Sequence, residues 1–165
     1  MIRINPLKNV SMTAKTTIIL FVLAFQFACS PAHPGQAELN IKMVDDKEVP
    51  VFVSLAVSRQ EKRIGLSGRD AIGFNEGMLF IYGSNQHVSF TMRGARNELD
   101  VAFLDSTGHI QEIYSLIIDP NLVYRSSEKC RYALQMTFEW FQQNRVAVGD
   151  TVVIPDEIKR IKPIF

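Results

Sequence analysis

The chain has 165 residues, of which 47% are apolar and 21% charged, with a formal net charge of +1. That length accommodates one domain with an appendage, and the apolar share supplies a packed core. Three basic residues and no acid fall within residues 1–28, leaving 15 Lys plus Arg against 17 Asp plus Glu, a balance that speaks against nucleic-acid binding.

The appendage comes first. Arg3, Lys8 and Lys15 precede "TTIILFVLAFQFACS", whose apolar run from Ile18 to Ala28 is broken only by Gln26. The run is far shorter than the ~20 residues that cross a bilayer. A basic flank followed by a short apolar run is an export-signal pattern, and Met12 is a second candidate start. Ala28-Cys29-Ser30 resembles the end of a bacterial lipoprotein signal, which makes Cys29 the lipid-bearing first residue. Cleavage after Ala37 in "GQAE", or an uncleaved anchor, are the competing outcomes. The expectation is therefore a signal over 1–28, a tether over 29–38, one domain over 39–155 and a C-terminal tail over 156–165. The domain would sit on the periplasmic side of a bacterial membrane. With Cys29 so used, Cys130 has no internal disulfide partner and reads as a small buried residue.

Extended segments open the domain. "LNIKMV" (39–44) alternates apolar and polar residues, and "VPVFVSLAV" (49–57) has the β-branched content of a buried strand. Ser58 with Glu61 three residues later forms a capping box for a short helix "RQEKRIGL" that ends near Gly65 or Gly68. Turn residues Gly73, Asn75 and Gly77 follow. "MLFIY", "HVSFTMR", "LDVAFLD" and "HIQEIYSLII" then read as strands, with a tight hairpin at "STG" (106–108). "DPNLVYRSSEK" (119–129) reads as a surface loop, "CRYALQM" (130–136) as a strand, "TFEWFQQNRVA" (137–147) as one helix and "GDTVVIP" (149–155) as a turn and last strand. The tail "DEIKRIKPIF" has no clear pattern. Many short strands with two short helices predict an α+β class, compact, with a largely antiparallel barrel-like β-sheet. The connections look too short for parallel βαβ units.

The common catalytic motifs are missing: no phosphate-binding glycine loop, dinucleotide fingerprint, nucleophile elbow or His-Glu-x-x-His helix is present. His87 and His109 read as loop and turn residues. Met78, Met92, Met136, His87 and Cys130 are soft-metal ligands by type, but without a clustered spacing they read as core and rim. No cofactor and no metal are implied. The stretch "SFTMRGARNELDVAFLD" (89–105) is unusually polar at its centre. If its two strands pair, Arg93 and Asp100 meet near the turn, as a rim ion pair or as part of an anion-holding pocket.

The order of "RIGLSGR" (63–69), "EGMLFIY" (76–82), "SFTMRGA" (89–95), "LDVAFLDSTGHI" (99–110), "YALQM" (132–136) and "VAVGDTV" (146–152) resembles the domain of unknown function 192 family, over roughly residues 40–155. The resemblance implies a compact α+β domain with a barrel-like antiparallel sheet, and brings no reaction, ligand or cofactor. The family usually reads Phe-Trp-Met-Lys-Asn-Thr where this divergent chain has Phe90, Thr91, Met92, Arg93, Gly94 and Ala95. Ser67 replaces a Met and Gln135 a Glu, while Leu99 and Asp100 are retained.

These readings converge on an exported, lipid-anchored, non-enzymatic binding or accessory domain. Its candidate patch is Arg63, Arg69, Arg93, Asp100 and Gln135, and its partner a small anionic ligand or an envelope protein. The alternatives are an envelope hydrolase using Asp100 as base and Arg93 as anion clamp, and an assembly factor with an exposed apolar face.

Overall fold

The computed structural model describes residues 35–164, so the expected signal, Cys29 and most of the tether lie outside the described residues. In chain order the elements are β1 (Ala37–Lys42), β2 (Glu48–Ala56), α1 (Arg59–Ile64), β3 (Glu76–Gln86), β4 (Ser89–Thr91), β5 (Leu99–Leu104), β6 (Ile110–Leu116), β7 (Val123–Arg125), β8 (Cys130–Thr137), α2 (Trp140–Gln143), β9 (Thr151–Val153) and α3 (Asp156–Lys159). The class is α+β as expected, with three short helices rather than two. Among the described residues no helix is long and apolar enough to cross a membrane.

Seven strands form one sheet in the order β6-β5-β8-β3-β2-β1-β9, and β4 pairs with β7 in a small second sheet. The large sheet curls until its two edges touch at one end. There Ile110 N–H donates to the Asp150 carbonyl at 2.8 Å, and Val152 N–H to the Gly108 carbonyl at 2.8 Å. This contact requires Gly108, which has φ +93 and whose Cβ would stand 2.1 Å from the Val152 carbonyl oxygen. Farther along β6, the Glu112 carboxylate accepts from the Ser127 and Glu128 backbone N–H groups at 2.9 and 3.1 Å, tying that loop to the edge strand.

Side chains alternate between the two faces of the curl. Leu79, Ile81, Ala102, Leu104, Leu134 and Met136 fill the inside, which Trp140, Phe141 and Ile158 help to seal. Phe80, Val101, Phe103 and Ala133 point outward and are covered by Leu66, Val88, Phe90 and Met92. Phe90 meets Phe80 edge-on with ring centroids 5.0 Å apart. All six residues of β5 are buried, so both of its faces are covered. Cys130 and the three methionines Met78, Met92 and Met136 are buried core residues, as their isolated positions suggested.

Three expectations change. β2 and β3 run parallel, with Phe52 opposite Glu76 and Ala56 opposite Phe80. The segment between them carries α1 and the turn to Asn75, which together bring the chain back in the same direction despite the short helix. The predicted 137–147 helix shrinks to α2, because Glu139 at φ +61 and Arg145 at φ +59 leave the helical region on either side. The predicted 119–129 loop contains β7, which takes β4 as its partner through Phe90 opposite Tyr124.

Candidate functional site

The outer face carries an open pocket of about 420 Å³ between the end of α1 and β4. Its first wall follows from the capping box. Ser58 Oγ accepts from Glu61 N–H at 3.2 Å, and the Glu61 carboxylate accepts from Ser58 N–H at 2.7 Å and Val57 N–H at 2.9 Å. The Ser58 backbone bond, followed by that of Val57, holds the Glu61 carboxyl below its usual value. The acid is thus committed to the start of the helix, and the last turn presents Lys62 and Arg63.

Gly65 then turns the chain at φ +57, ψ −158, a conformation reserved for glycine. The turn lays Leu66 N–H against the Gln135 amide oxygen at 3.2 Å. That bond fixes the orientation of the amide: its oxygen faces the backbone, and its NH₂ group remains available to the pocket. Gln135 is only 4% exposed and borders the pocket.

The second wall runs from Tyr82 and His87 along β4. His87 Nδ1–H donates to the Ser126 carbonyl at 3.1 Å, leaving Nε2 directed elsewhere. Ser89 and Thr91 are exposed along β4, while Phe90 and Met92 form an apolar floor. Lys62 Nζ lies 4.9 Å from the centre of the Tyr82 ring. Burial pushes the Tyr82 hydroxyl well above its ordinary range, so it stays a neutral donor. Burial also lowers the Lys62 ammonium from its ordinary value, opposed by Glu61 and reinforced by Arg131. Among the described residues no carboxylate lines the pocket. Its chemistry is that of hydrogen-bond donors and cations around a small apolar floor, a combination suited to an oxygen-rich anion.

Of the five residues singled out from the sequence, Arg63 and Gln135 line this pocket together. Arg69 lies elsewhere on the outer face, where its Nη2 donates to Ser54 Oγ at 2.7 Å. Its carbonyl accepts from Asn97 Nδ2 at 3.0 Å, and Arg96 is ion-paired with Asp70, so this loop is fastened to the 92–98 turn. Arg93 is exposed on that turn beside Gly94. Asp100 is 2% exposed and belongs to the inner face, where its carboxylate accepts from Ser115 Oγ at 2.9 Å and from the Glu139 and Phe141 backbone. The expected meeting of Arg93 and Asp100 does not occur, because β4 pairs with β7 while β5 is flanked by β6 and β8. Among the described residues, no three His, Cys, Asp or Glu gather as metal ligands.

Sequence reasoning passed over Lys62, Tyr82, Ser89 and Thr91, and took His87 for a loop edge when it is also a pocket rim. Lys62 was within reach of inspection, since a capping box that occupies Glu61 leaves an adjacent Lys-Arg pair at the helix end. Tyr82 was not, because its position depends on how β3 leaves the sheet.

The family model DUF192, described as "Uncharacterized ACR", matches residues 41–154. No curated protein matches the chain. Among solved structures, a protein of Sinorhizobium meliloti 1021 described as a candidate transcription regulator is similar at 24% identity and TM-score 0.68, over 71% of this chain and 92% of that one. A protein of unknown function from Novosphingobium aromaticivorans DSM 12444 is similar at 18% identity and TM-score 0.67, over 72% and 85% of the two chains. These two likenesses concern the fold.

Proposed function

The chain belongs to the DUF192 family, and for this member we propose an exported, lipid-anchored binding domain that holds a small anionic group in the pocket between α1 and β4. The export and anchoring rest on the basic-then-apolar start and on Ala28-Cys29-Ser30. The binding role rests above all on the make-up of the pocket, where Gln135, its amide oxygen taken by Leu66 N–H, lines the same cavity as Lys62 and Arg63. An inorganic phosphate or a small carboxylate would accept from these groups without displacing any existing bond. The role is binding rather than catalysis, with no cofactor. Asp100, the base that a hydrolytic reading required, is instead engaged by Ser115 and the start of α2.

Calorimetric titration of the mature protein with inorganic phosphate and with succinate tests the pocket. Saturable binding of either, lost in the Lys62→Gln/Arg63→Gln double variant, is the expected result. Absence of binding by both, or binding indifferent to the double variant, sinks the reading. Mass spectrometry of the processed N-terminus tests the anchor: a lipid-modified Cys29 is expected, and a chain beginning at Glu38 refutes lipidation.

A further inference from the structure

A second cavity, of about 690 Å³, lies between β3 and the segment after α3. Four cations line it: Arg131 on β8, and Lys159, Arg160 and Lys162 from the C-terminal segment. That segment shows no pattern of its own in the sequence, and only the fold brings it to Arg131. Lys159 makes an ion pair with the exposed Asp156 at 3.2 Å, and among the described residues no carboxylate lines the cavity itself.

This cavity shares a wall residue with the α1–β4 pocket. Gln86 lines both. The strand between them is irregular: along β3, Ile81 pairs with Tyr132 and the next paired residue is Gln86, opposite Cys130. The intervening residues therefore leave the ladder as a bulge, and such bulges re-aim side chains next to binding sites. Tyr82 ends up in one cavity, and Gly83 and Ser84 in the other. The charges also communicate, since the Arg131 guanidinium is close enough to disfavour the Lys62 ammonium.

The two cavities together present Lys62, Arg63, Arg131, Lys159, Arg160 and Lys162, with no carboxylate among the described residues in either lining. A single small anion carries one or two charges and leaves most of this row unanswered. We propose that the ligand is a linear oligoanion, seated by one anionic group at Gln135, Lys62 and Arg63 and continuing past Gln86 into the Arg131 cleft. This assignment rests on the α1–β4 pocket being the anion site. It adds that the ligand is a chain and that the C-terminal segment grips it. Repeated phosphates and repeated carboxylates share this chemistry.

Titration with orthophosphate, with linear polyphosphate and with polyglutamate of matched charge, on the full mature protein, distinguishes the possibilities. At least one of the two chains is expected to bind about ten-fold or more tightly than orthophosphate, and the one that does identifies the repeating group. Lys62→Gln/Arg63→Gln should weaken both chain and orthophosphate. Arg131→Gln, and separately the double variant Arg160→Gln/Lys162→Gln, should weaken the chain about ten-fold and leave orthophosphate within about two-fold, because the cleft acts by added electrostatic attraction. Orthophosphate binding with no gain from either chain overturns the oligoanion while sparing the pocket. Chain binding that survives Lys62→Gln/Arg63→Gln overturns the continuous path. Failure of orthophosphate and both chains alike removes the underlying pocket reading instead.

Discussion

Gln135 and Asp100 lie on neighbouring strands yet face opposite sides of the sheet. β5 and β8 align Asp100 with Met136 and Val101 with Gln135, so one residue along the ladder separates the two side chains. In a strand, one residue is also a change of face. Gln135 consequently reaches the pocket under α1, while Asp100 reaches the start of α2 inside the curl. Two polar residues that looked like members of one patch serve separate purposes.

The first prediction concerns the outward member. In Gln135→Glu the carboxylate still accepts from Leu66 N–H, but the two amide donors are replaced by a negative charge facing the anion. Phosphate affinity should fall about ten-fold or more while the far-ultraviolet circular dichroism stays unchanged. An affinity within about two-fold of wild type would remove Gln135 from the binding account.

Asp100 should behave in the opposite way. Asp100→Ala strands the Ser115 hydroxyl and two backbone N–H groups, costing roughly 2–3 kcal/mol, with Asp100→Asn nearer to ~1 kcal/mol because one oxygen remains. Phosphate affinity should be unchanged in the folded variants. Burial, partly offset by the Ser115 bond, raises the Asp100 carboxyl above its ordinary 3.8. A raised folded-state pKa means that the native state holds this proton more tightly than the unfolded chain does. The resulting stability is complete below pH 3.8 and is lost as pH rises through the folded-state value. Urea unfolding across the acid range should therefore show the wild type losing ground to Asp100→Asn as pH increases. A gap that moves the other way would contradict this account of the buried carboxyl.

Gly65→Ala tests the turn that presents the amide. The backbone at φ +57, ψ −158 is strained for alanine, and its Cβ would stand 3.1 Å from Gln135 Oε1 and 3.4 Å from Phe80 Cζ. A loss of about 1–3 kcal/mol is expected from the backbone alone. Because the new methyl also presses on the amide, phosphate affinity should drop in the variant that remains folded at low temperature. Thermal melts and titration report the two effects separately.

Arg93→Ala should do very little. The side chain is exposed on the 92–98 turn and lines neither cavity of the binding path. Stability should stay within about 0.5 kcal/mol, as for ordinary surface substitutions, with phosphate affinity unaltered. A large loss of binding would restore Arg93 to the site and displace the pocket assigned here.

Local chemistry was legible in the sequence where it is local in space. The Ser58–Glu61 capping box, the buried run of β2, the strands β3, β5, β6 and β8 and the tight turn at Gly108 all follow from spacing and residue type. Pairing was not, since nothing in "SFTMRGARNELDVAFLD" reveals that β4 leaves the large sheet to join Val123–Arg125. An apparent hairpin was therefore split between two sheets, and Arg93 was separated from Asp100. Helix 137–147 failed for a different reason: the left-handed Glu139 and Arg145 are set by the need to fold α2 over the interior, which outweighs helix propensity. In the site, Arg63 and Gln135 were found because they are polar residues in recognisable segments, whereas Tyr82 waited on a bulge.

Among the described residues the sheet edges touch near Gly108 and Val152, and the rest of β6 is an edge to which a neighbouring molecule could add a strand. Unpaired edges of this sort invite chain-to-chain extension, most of all among proteins crowded onto a surface. The Glu112 carboxylate, fastened to Ser127 and Glu128, puts a charge and a foreign loop on that strand. The domain is thereby discouraged from polymerising along its own sheet.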